Sequence, residues 1–457
     1  ADANTCSVAL ACSLRVLGVP AAITDLAVTP TTVAGSAAGT FRLQLTFGTP
    51  AFATSFEVYR APFGGYPAYD DAGGQAPATP AYPPVGPWVL TPVTASGQLD
   101  APPSRDAWSY VVFTKNTLGQ VSPVSNVTPL LLDYLPGDFA NGSTPGTGDN
   151  AVGFADVSLL GAHYGISGAA VTSAGVGYLD IGPTIDRSPR ARPATDGRID
   201  FEDLIVLVTN FGALSSPAAL TTAADAMASR ATGDEQLALD APASVRAGET
   251  FRVTLSLHGA GRVQGLSVQL GWDPVMAEPV DMQASSWLTQ QRGVAFSAAP
   301  GRIDAALLGV REQGFSGEGE VATVTFRALR TGAPLLRVAH AEARDAANRP
   351  LSAELLGLDH LDARPAQTLL FAPSPNPARG PALVSFALAQ GGRADLAIYS
   401  VDGRRVRTLA AGELPAGQYH FTWNGETDDH GRASPGVYFA QLVTRGQRFS
   451  RKLITLQ

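Results

Sequence analysis

Residues 149–160 read DNAVGFADVSLL, and residues 196–207 read DGRIDFEDLIVL. The two stretches are copies of one pattern with a period of 47 residues, from Asp149 to Asp196. Each copy opens on an acid and places another acid seven residues later, at Asp156 or Asp203, where an apolar run begins. Apolar residues three and four positions apart are typical of an amphipathic helix. The pattern therefore predicts a duplicated loop that enters a helix and carries carboxylates at both ends.

An upstream acid precedes each copy, at Asp138 and at Asp180. Calcium binds six to eight hard oxygens, which a loop before a helix supplies from carboxylates at its beginning, middle and end and from one backbone carbonyl. The matched acids therefore predict a calcium loop in each copy. The alternative is that the last acids only cap the helices, a contribution of about 0.5–2 kcal/mol each. Because the acids recur in matched roles, the duplication favours the metal loop.

This duplicated loop–helix pattern resembles the dockerin family, whose loops are of the EF-hand type. The resemblance implies about two calcium ions, with the backbone carbonyls of Ala151 and Arg198 as ligands. Both loops carry inserts that the family lacks, so the third ligand of each is open, with Asn141 and Asp186 as candidates. The predicted metal-ligating residues are Asp138, Asn141, Asp149, Ala151, Asp156, Asp180, Asp186, Asp196, Arg198 and Asp203.

The bulk composition predicts several domains built from short strands. The chain has 457 residues, whereas a single core rarely grows past about 250–300 residues. The 48 glycines and 34 prolines interrupt short apolar runs throughout the chain, which is typical of strands joined by turns. We therefore predict a mostly β protein with three β-sandwich domains (Ig-like, fibronectin III-like and cohesin-like) and one small α-helical calcium-loop module.

The strand patterns and the duplicated copies divide the chain into six predicted parts. They are an N-terminal strand or arm at 1–19, a first sandwich at 20–133, the loop–helix module at 134–215, a linker at 216–234, a second sandwich at 235–365 and a C-terminal sandwich at 366–457.

The first sandwich has alternating strands such as Thr40–Phe47 and closes on Ser122-Pro123-Val124-Ser125-Asn126. These features resemble a fibronectin type III domain. A long insert, residues 61–92, departs from that family and is rich in Pro, Gly and Tyr. Its aromatic residues form either a contact surface for a partner or glycan, or a self-packed loop that covers the sandwich. We favour the packed loop.

The last two sandwiches also carry family resemblances. The order of Val245–Thr250, Trp272-Asp273-Pro274 and Gly317–Phe326 resembles a cohesin domain. The hairpin Ala394–Val406, with its Val-Asp-Gly turn, and the segment Gly417–Gly425 resemble the Ig-like fold that flagellar hook-capping proteins share with C-terminal sorting domains of type IX secretion. The resemblance to the sorting family implies export to the cell surface.

The chain's two cysteines, Cys6 and Cys12, lie close together near its beginning. We predict a short disulfide loop formed outside the cytosol, against the alternative of two free thiols in a strand. The opening residues are consistent with a mature end left by signal-peptide removal. The expected location is therefore extracellular or at the cell surface.

The charge and the motifs of the sequence argue against several classes of function. The net charge is −8 and the sequence has no basic stripe, so we expect no nucleic-acid partner. No apolar run reaches the 18 or so residues of a membrane span. Six histidines lack zinc-ligand spacing, and no nucleophile elbow occurs in a strand–turn–helix context. We therefore predict that the protein is not an enzyme.

The predicted function is that of a secreted, calcium-stabilised structural or adhesive protein. The dockerin-like and cohesin-like modules are expected to pair either within one chain or between chains. Pairing between chains would build a homopolymer, an extracellular filament or surface layer, helped by addition of the N-terminal strand. The alternative is a scaffold or carbohydrate-binding component of an extracellular degradative complex, with a cohesin- or dockerin-type protein as its partner.

Overall fold

A computed structural model describes most of the chain. The described residues are 18–69, 74–212, 235–310, 314–352, 364–365, 367–414, 417–429 and 431–456. The predicted Cys6–Cys12 disulfide, most of the N-terminal arm and the predicted linker at 216–234 lie outside these ranges.

The first sandwich has two sheets, with strand orders β1-β2-β5 and β4-β3-β6-β7. Its strands are β1 Ala27–Ala34, β2 Phe41–Thr46, β3 Ser55–Pro62, β4 Val89–Leu90, β5 Leu99–Asp100, β6 Ala107–Lys115 and β7 Leu131–Leu132. The core lies between the sheets because alternate residues of β2, β3 and β6 point inward, among them Leu43, Val58 and Val112.

Strand β6 is buried on both faces because the insert covers its outer side. Trp88 packs with Val111 and Phe113 of β6, and its indole Nε1 donates to the Ala78 carbonyl at 2.9 Å. Tyr69 is buried as well and shares a 2.9 Å hydroxyl–hydroxyl hydrogen bond with Tyr134. For these aromatic residues, the packed-loop interpretation of the insert describes the structure.

The loop–helix module follows β7 and contains the short helices of the duplicated copies. They are α1 Phe154–Ala162, α2 Ala169–Ala174, a 3-10 turn Gly177–Leu179 and α3 Phe201–Asn210. Helix α3 is buried at Phe201 and from Asp203 to Asn210, so it is enclosed on all sides. A helix that is buried on all sides needs partners on every face, and the second sandwich provides one of them.

The second sandwich again has two sheets, with orders β12-β13-β10-β15-β16 and β11-β14-β9-β8-β17. Its elements are β8 Gln236–Ala241, β9 Thr250–Ala260, β10 Gly265–Gly271, β11 Ala277–Ala284, α4 Ser286–Gln290, β12 Gly293–Phe296, β13 Arg302–Leu307, β14 Ser316–Ala328, β15 Arg337–Arg344, β16 Pro350–Leu351 and β17 Arg364–Pro365. Alternating residues of both sheets fill one core.

The C-terminal sandwich pairs the sheets β18-β19-β22 and β21-β20-β23-β24. Its strands are β18 Leu369–Leu370, β19 Ala382–Leu388, β20 Gly392–Ser400, β21 Arg405–Leu414, β22 Gly417–Trp423, β23 Gly436–Thr444 and β24 Gln447–Thr455. The predicted hairpin is β20–β21, and Gly403 takes a positive φ of 80° at its turn. The prediction of a mostly β protein with several sandwiches is thus confirmed.

Asp133 lies at the junction between the first sandwich and the loop–helix module. Its side chain is fully buried, its Oδ1 accepts the Asp106 N–H at 3.0 Å, and its Oδ2 has no hydrogen-bond partner among the described residues. Burial raises the pKa of Asp133 to about 8. The folded protein therefore retains a proton on Asp133 that the unfolded chain releases above about pH 4. The free energy of unfolding consequently falls as the pH rises from about 4 towards 8.

Asp133→Asn keeps the acceptor oxygen and cannot ionise. We expect this variant to lose less free energy of unfolding between pH 5 and 8 than the wild type, by about 1–3 kcal/mol. Urea unfolding at pH 5, 6.5 and 8 measures the difference, with Asp240→Asn, at an exposed position, as the control. Equal pH slopes for all three proteins would contradict the assignment.

Candidate metal-binding loops

The last acid of the first loop ties the start of α1 to the beginning of the loop. Asp156 Oδ1 accepts the backbone N–H groups of Phe139 and Ala140 at 2.8 and 2.7 Å. Its Oδ2 accepts the Gly153 N–H at 2.7 Å, one residue before the helix begins. Three donors that would otherwise be buried unpaired are satisfied by this one carboxylate.

The last acid of the second loop repeats this arrangement. Asp203 Oδ1 accepts the N–H groups of Ile181 and Gly182 at 2.7 and 2.9 Å, and its Oδ2 accepts the Asp200 N–H at 2.7 Å. Each donor lies at the position that corresponds to its counterpart in the first loop. The capping alternative therefore describes part of what these acids do, and each also holds the opposite end of its loop.

The first and middle acids of the first loop are joined through backbone groups. Asp138 Oδ1 accepts the Asp149 N–H at 2.9 Å, and its Oδ2 accepts the Asn150 N–H at 3.1 Å. Asp149 is exposed, and its Oδ1 accepts the Ala151 N–H at 3.1 Å. The buried first acid thus anchors the turn on which the middle acid stands.

The second loop has the same connections. Asp180 accepts the N–H groups of Asp196 and Gly197, at 3.3 Å on Oδ1 and 2.7 Å on Oδ2. Asp196 is exposed and accepts the Arg198 N–H at 3.0 Å. The 47-residue repeat in the sequence is therefore matched by a repeat of the same hydrogen bonds from backbone N–H groups to carboxylates.

The two candidates for the third ligand lie in exposed turns of the inserts. Asn141 Oδ1 accepts the N–H groups of Ser143 and Thr144 at 3.0 and 2.7 Å. Asp186 Oδ1 accepts the Ser188 N–H at 2.8 Å. Both are Asx turns, in which the side chain caps its own loop. Within the described ranges, no three His, Cys, Asp or Glu side chains are grouped to hold a metal.

Crossed hydrogen bonds join the two copies. The Gly165 N–H, after α1, donates to the Ile199 carbonyl of the second loop at 2.8 Å. The Gly212 N–H, after α3, donates to the Val152 carbonyl of the first loop at 2.9 Å. Both glycines have positive φ values, 87° and 71°, which favour a residue without a Cβ. Each loop is thus closed by the segment that follows the other copy's helix.

The first loop contains a cation from outside the module. Burial raises the pKa of Asp138 to about 6, while the Arg105 guanidinium beside it acts in the opposite direction and repulsion from Asp156 adds to the rise. Arg105 Nη2 donates to Asp138 Oδ2 at 3.0 Å, and both side chains are buried. Sequence reasoning missed Arg105, because no spacing marks an arginine of a neighbouring domain as part of this loop.

The second loop concentrates negative charge. Burial raises the pKa of Asp203 well above its usual value, and repulsion from Asp180 contributes. Burial also raises the pKa of Asp196, to which repulsion from Asp200 adds. Carboxylates are the hard oxygen donors that calcium prefers, so the second loop offers the donor type of a calcium site. In the first loop, a guanidinium contacts the first acid.

Helix α3 and the C-terminal end of α1 pack directly on the second sandwich. Ala306 and Leu308 belong to the same buried core as Leu204–Val208 of α3. The Gly309 N–H donates to the Val208 carbonyl at 2.9 Å. A Cβ on Gly265 of β10 would lie 2.7 Å from Cδ1 of Ile205, so the helix approaches the sheet closely at this glycine. The helix and the sheet of β10 and β13 share one core.

Polar contacts also join the loop–helix module to the second sandwich. The Tyr164 hydroxyl donates to Asp304 Oδ2 of β13 at 3.1 Å, and the Tyr164 ring lies 5.0 Å from the ring of Phe296. Arg344 of β15 donates to Glu202 of α3 at 3.2 Å. The mostly buried Arg344 thus pairs with an acid of the second loop's helix. Neither contact could be found from sequence, since each joins residues about 140 positions apart.

The fold and the loops define a multi-module β-sandwich protein with a duplicated acidic loop–helix unit. Residues 379–447 match the FlgD Ig-like domain, so the C-terminal region is similar to that family and the Ig-like prediction is confirmed there. No curated protein matches the chain. Among the described residues, no helix is both long enough and apolar enough to cross a membrane.

Three solved structures illustrate what the chain is similar to. The first is a type II cohesin–X–dockerin complex of Acetivibrio cellulolyticus, with 12% identity over 26% of this chain and 92% of that chain and a TM-score of 0.23. The second is a cohesin module of a Clostridium perfringens family 33 glycoside hydrolase, with 14% identity over 26% of this chain and 89% of that chain and a TM-score of 0.22. The third is a non-cellulosomal cohesin of Archaeoglobus fulgidus, with 18% identity over 26% of this chain and 83% of that chain and a TM-score of 0.20. Each match covers about a quarter of this chain.

Gly182 provides a test of the last-acid arrangement. A Cβ at this position would lie 2.3 Å from the Glu202 backbone, so Gly182→Ala must push the loop away from the start of α3 and lengthen the bonds to Asp203. We expect a loss of about 2–4 kcal/mol of unfolding free energy. Gly153→Ala is the control, because its Cβ would meet only Asp156 Oδ2 at 4.0 Å. Equal stability of the two variants, measured by urea unfolding, would contradict this account.

Proposed function

We propose that the protein is a secreted, non-catalytic structural protein in which the loop–helix module and the second sandwich pair within one chain. The core that α3 shares with the sheet of β10 and β13 carries this proposal. A shared core resists separation far more than a polar contact between domains does, because its apolar surface would be exposed to water on opening. The paired modules form a stiff unit between the first and the C-terminal sandwich.

Calcium has a stabilising role in this proposal. The second loop's acids repel one another inside the fold, and a bound dication would offset that repulsion. Asp180, Asp196 and Asp203 would supply carboxylates, and the Arg198 carbonyl the backbone ligand. Since such a site exists only in the folded chain, binding energy becomes folding energy.

The within-chain pairing changes the filament hypothesis. A filament through the loop–helix module and the second sandwich needs these surfaces free in each chain, whereas here each covers the other. We therefore propose that assembly, where it occurs, uses other surfaces, and that the covered face of the second sandwich does not bind a separate partner. The scaffold alternative has the same requirement of a free face, so the pairing disfavours it as well.

The calcium proposal predicts a metal-dependent melting temperature. Addition of CaCl2 to chelator-treated full-length protein is expected to raise it by several degrees, as binding to the folded state alone does. Asp196→Asn should abolish the rise, because the exposed acid loses its charge while Oδ1 still accepts the Arg198 N–H. Thermal unfolding with and without calcium measures both. An unchanged melting temperature in the wild type would contradict the proposal.

Pairing within the chain predicts the oligomeric state. Size-exclusion chromatography with light scattering should give a monomer in millimolar calcium and also in chelator, because the interacting surfaces are satisfied inside each chain. Calcium-dependent filaments in electron micrographs, dissolved by chelator, would contradict the within-chain arrangement.

A further inference from the structure

Arg105 enters the first loop from the connection before β6 of the first sandwich. Its guanidinium donates to Asp138 Oδ2 at 3.0 Å, the Asp138 carbonyl at 2.5 Å, the Gly39 carbonyl at 3.1 Å and the Ala38 carbonyl at 3.3 Å, and the Tyr66 hydroxyl is a further hydrogen-bond partner. The guanidinium carbon also lies 5.2 Å from the centre of the Tyr134 ring. The group is buried and its donors are directed at backbone and carboxylate oxygens, which is the environment that a buried arginine needs.

These acceptors include the first predicted calcium ligand of the loop. Asp138 receives the Asp149 and Asn150 N–H groups in addition to Arg105, so both of its carboxylate oxygens are engaged. A dication bound to the same carboxylate would lie close to a guanidinium in a buried place, where repulsion between like charges is strong. The guanidinium and the ion therefore compete for one carboxylate.

Two glycines approach the Arg105 guanidinium closely. A Cβ on Gly148 would lie 2.0 Å from Nη2 and 2.3 Å from Asp138 Oδ2. A Cβ on Gly39 would lie 1.8 Å from Nη2. Two glycine backbones, one from the loop and one from the first sandwich, thus close around the ion pair. This close fit shows that the arginine belongs to the loop as built and is not a surface side chain that leans against it.

We propose that Arg105 is a built-in cation that takes the place of calcium in the first loop and fastens the first sandwich to the loop–helix module. The chain then binds one calcium ion, in the second loop, where the duplication alone predicts two. The inference about the number of ions rests on the proposed calcium site of the second loop, whereas the role of Arg105 in the first loop does not depend on it.

Calorimetric titration of the full chain with CaCl2 tests the proposal. The wild type should bind about one ion, Asp149→Asn should still bind one, and Asp196→Asn should bind none, because each of these variants keeps its turn and loses one charge. Binding of about two ions by the wild type, reduced to one by Asp149→Asn, would overturn the proposal. Asp149 and Asp196 are both exposed, so this part of the test does not depend on a variant that removes a buried residue.

Arg105→Met removes the charge and keeps an unbranched apolar side chain. It should open the first loop to calcium and raise the stoichiometry by one ion, while Arg105→Lys, which keeps a charge, should not. Arg60→Met is the matched control, because Arg60 pairs with buried Asp100 at 2.7 Å in the same sandwich, away from the loops. It should lower stability without changing the stoichiometry. Near-ultraviolet circular dichroism confirms that each variant is folded.

The outcomes separate this inference from the calcium proposal. If the wild type binds no ion and Arg105→Met binds one, Arg105 is confirmed as the replacement cation and the second-loop proposal fails. If Arg105→Met is folded and binds no more calcium than the wild type, Arg105 does not stand in for an ion and the inference is wrong.

Discussion

The loop–helix module depends on a carboxylate that accepts three backbone N–H groups. Asp156 and Asp203 each accept two donors from the start of their loop and one from the residue before their helix. A buried carboxyl group is expensive to leave unpaired, so the three hydrogen bonds that it accepts fix the loop closely relative to the helix. These two residues therefore hold α1 and α3 in place relative to the loops that precede them.

The module is connected to the first and second sandwiches by different means. Arg105 joins it to the first sandwich through a buried ion pair, while α3 joins it to the second sandwich through a shared apolar core. The ion pair is directional and fixes the position of the module relative to the first sandwich. The shared apolar core contributes the larger part of the free energy of packing. A chain built in this way needs little freedom between its modules, which suits a structural role better than the capture of an exchangeable partner.

Local patterns predicted the local structure. Alternation predicted strands such as β2 and β20, the apolar run after Asp203 predicted α3, and the Val-Asp-Gly turn predicted the β20–β21 hairpin. The matched acids Asp138 and Asp180 were also found from the duplication. The partners of Arg105, Tyr164 and Arg344 were not predictable, because they depend on how separate domains pack, which no local spacing encodes. The inserts after Asn141 and around Asp186 left the third position of each loop open, because they have no counterpart in the pattern of the loop.

The central claim is that the loop–helix module and the second sandwich are one cooperative unit within the chain. Native-state hydrogen exchange of the full chain tests it most directly, because exchange reports the free energy of the smallest opening that exposes each amide. The account predicts that the slowest amides of α3 and those of β10 and β13 have the same opening free energy and respond together to denaturant. Amides of α3 that exchange markedly faster than those of β10 and β13, through a separate opening, would contradict it.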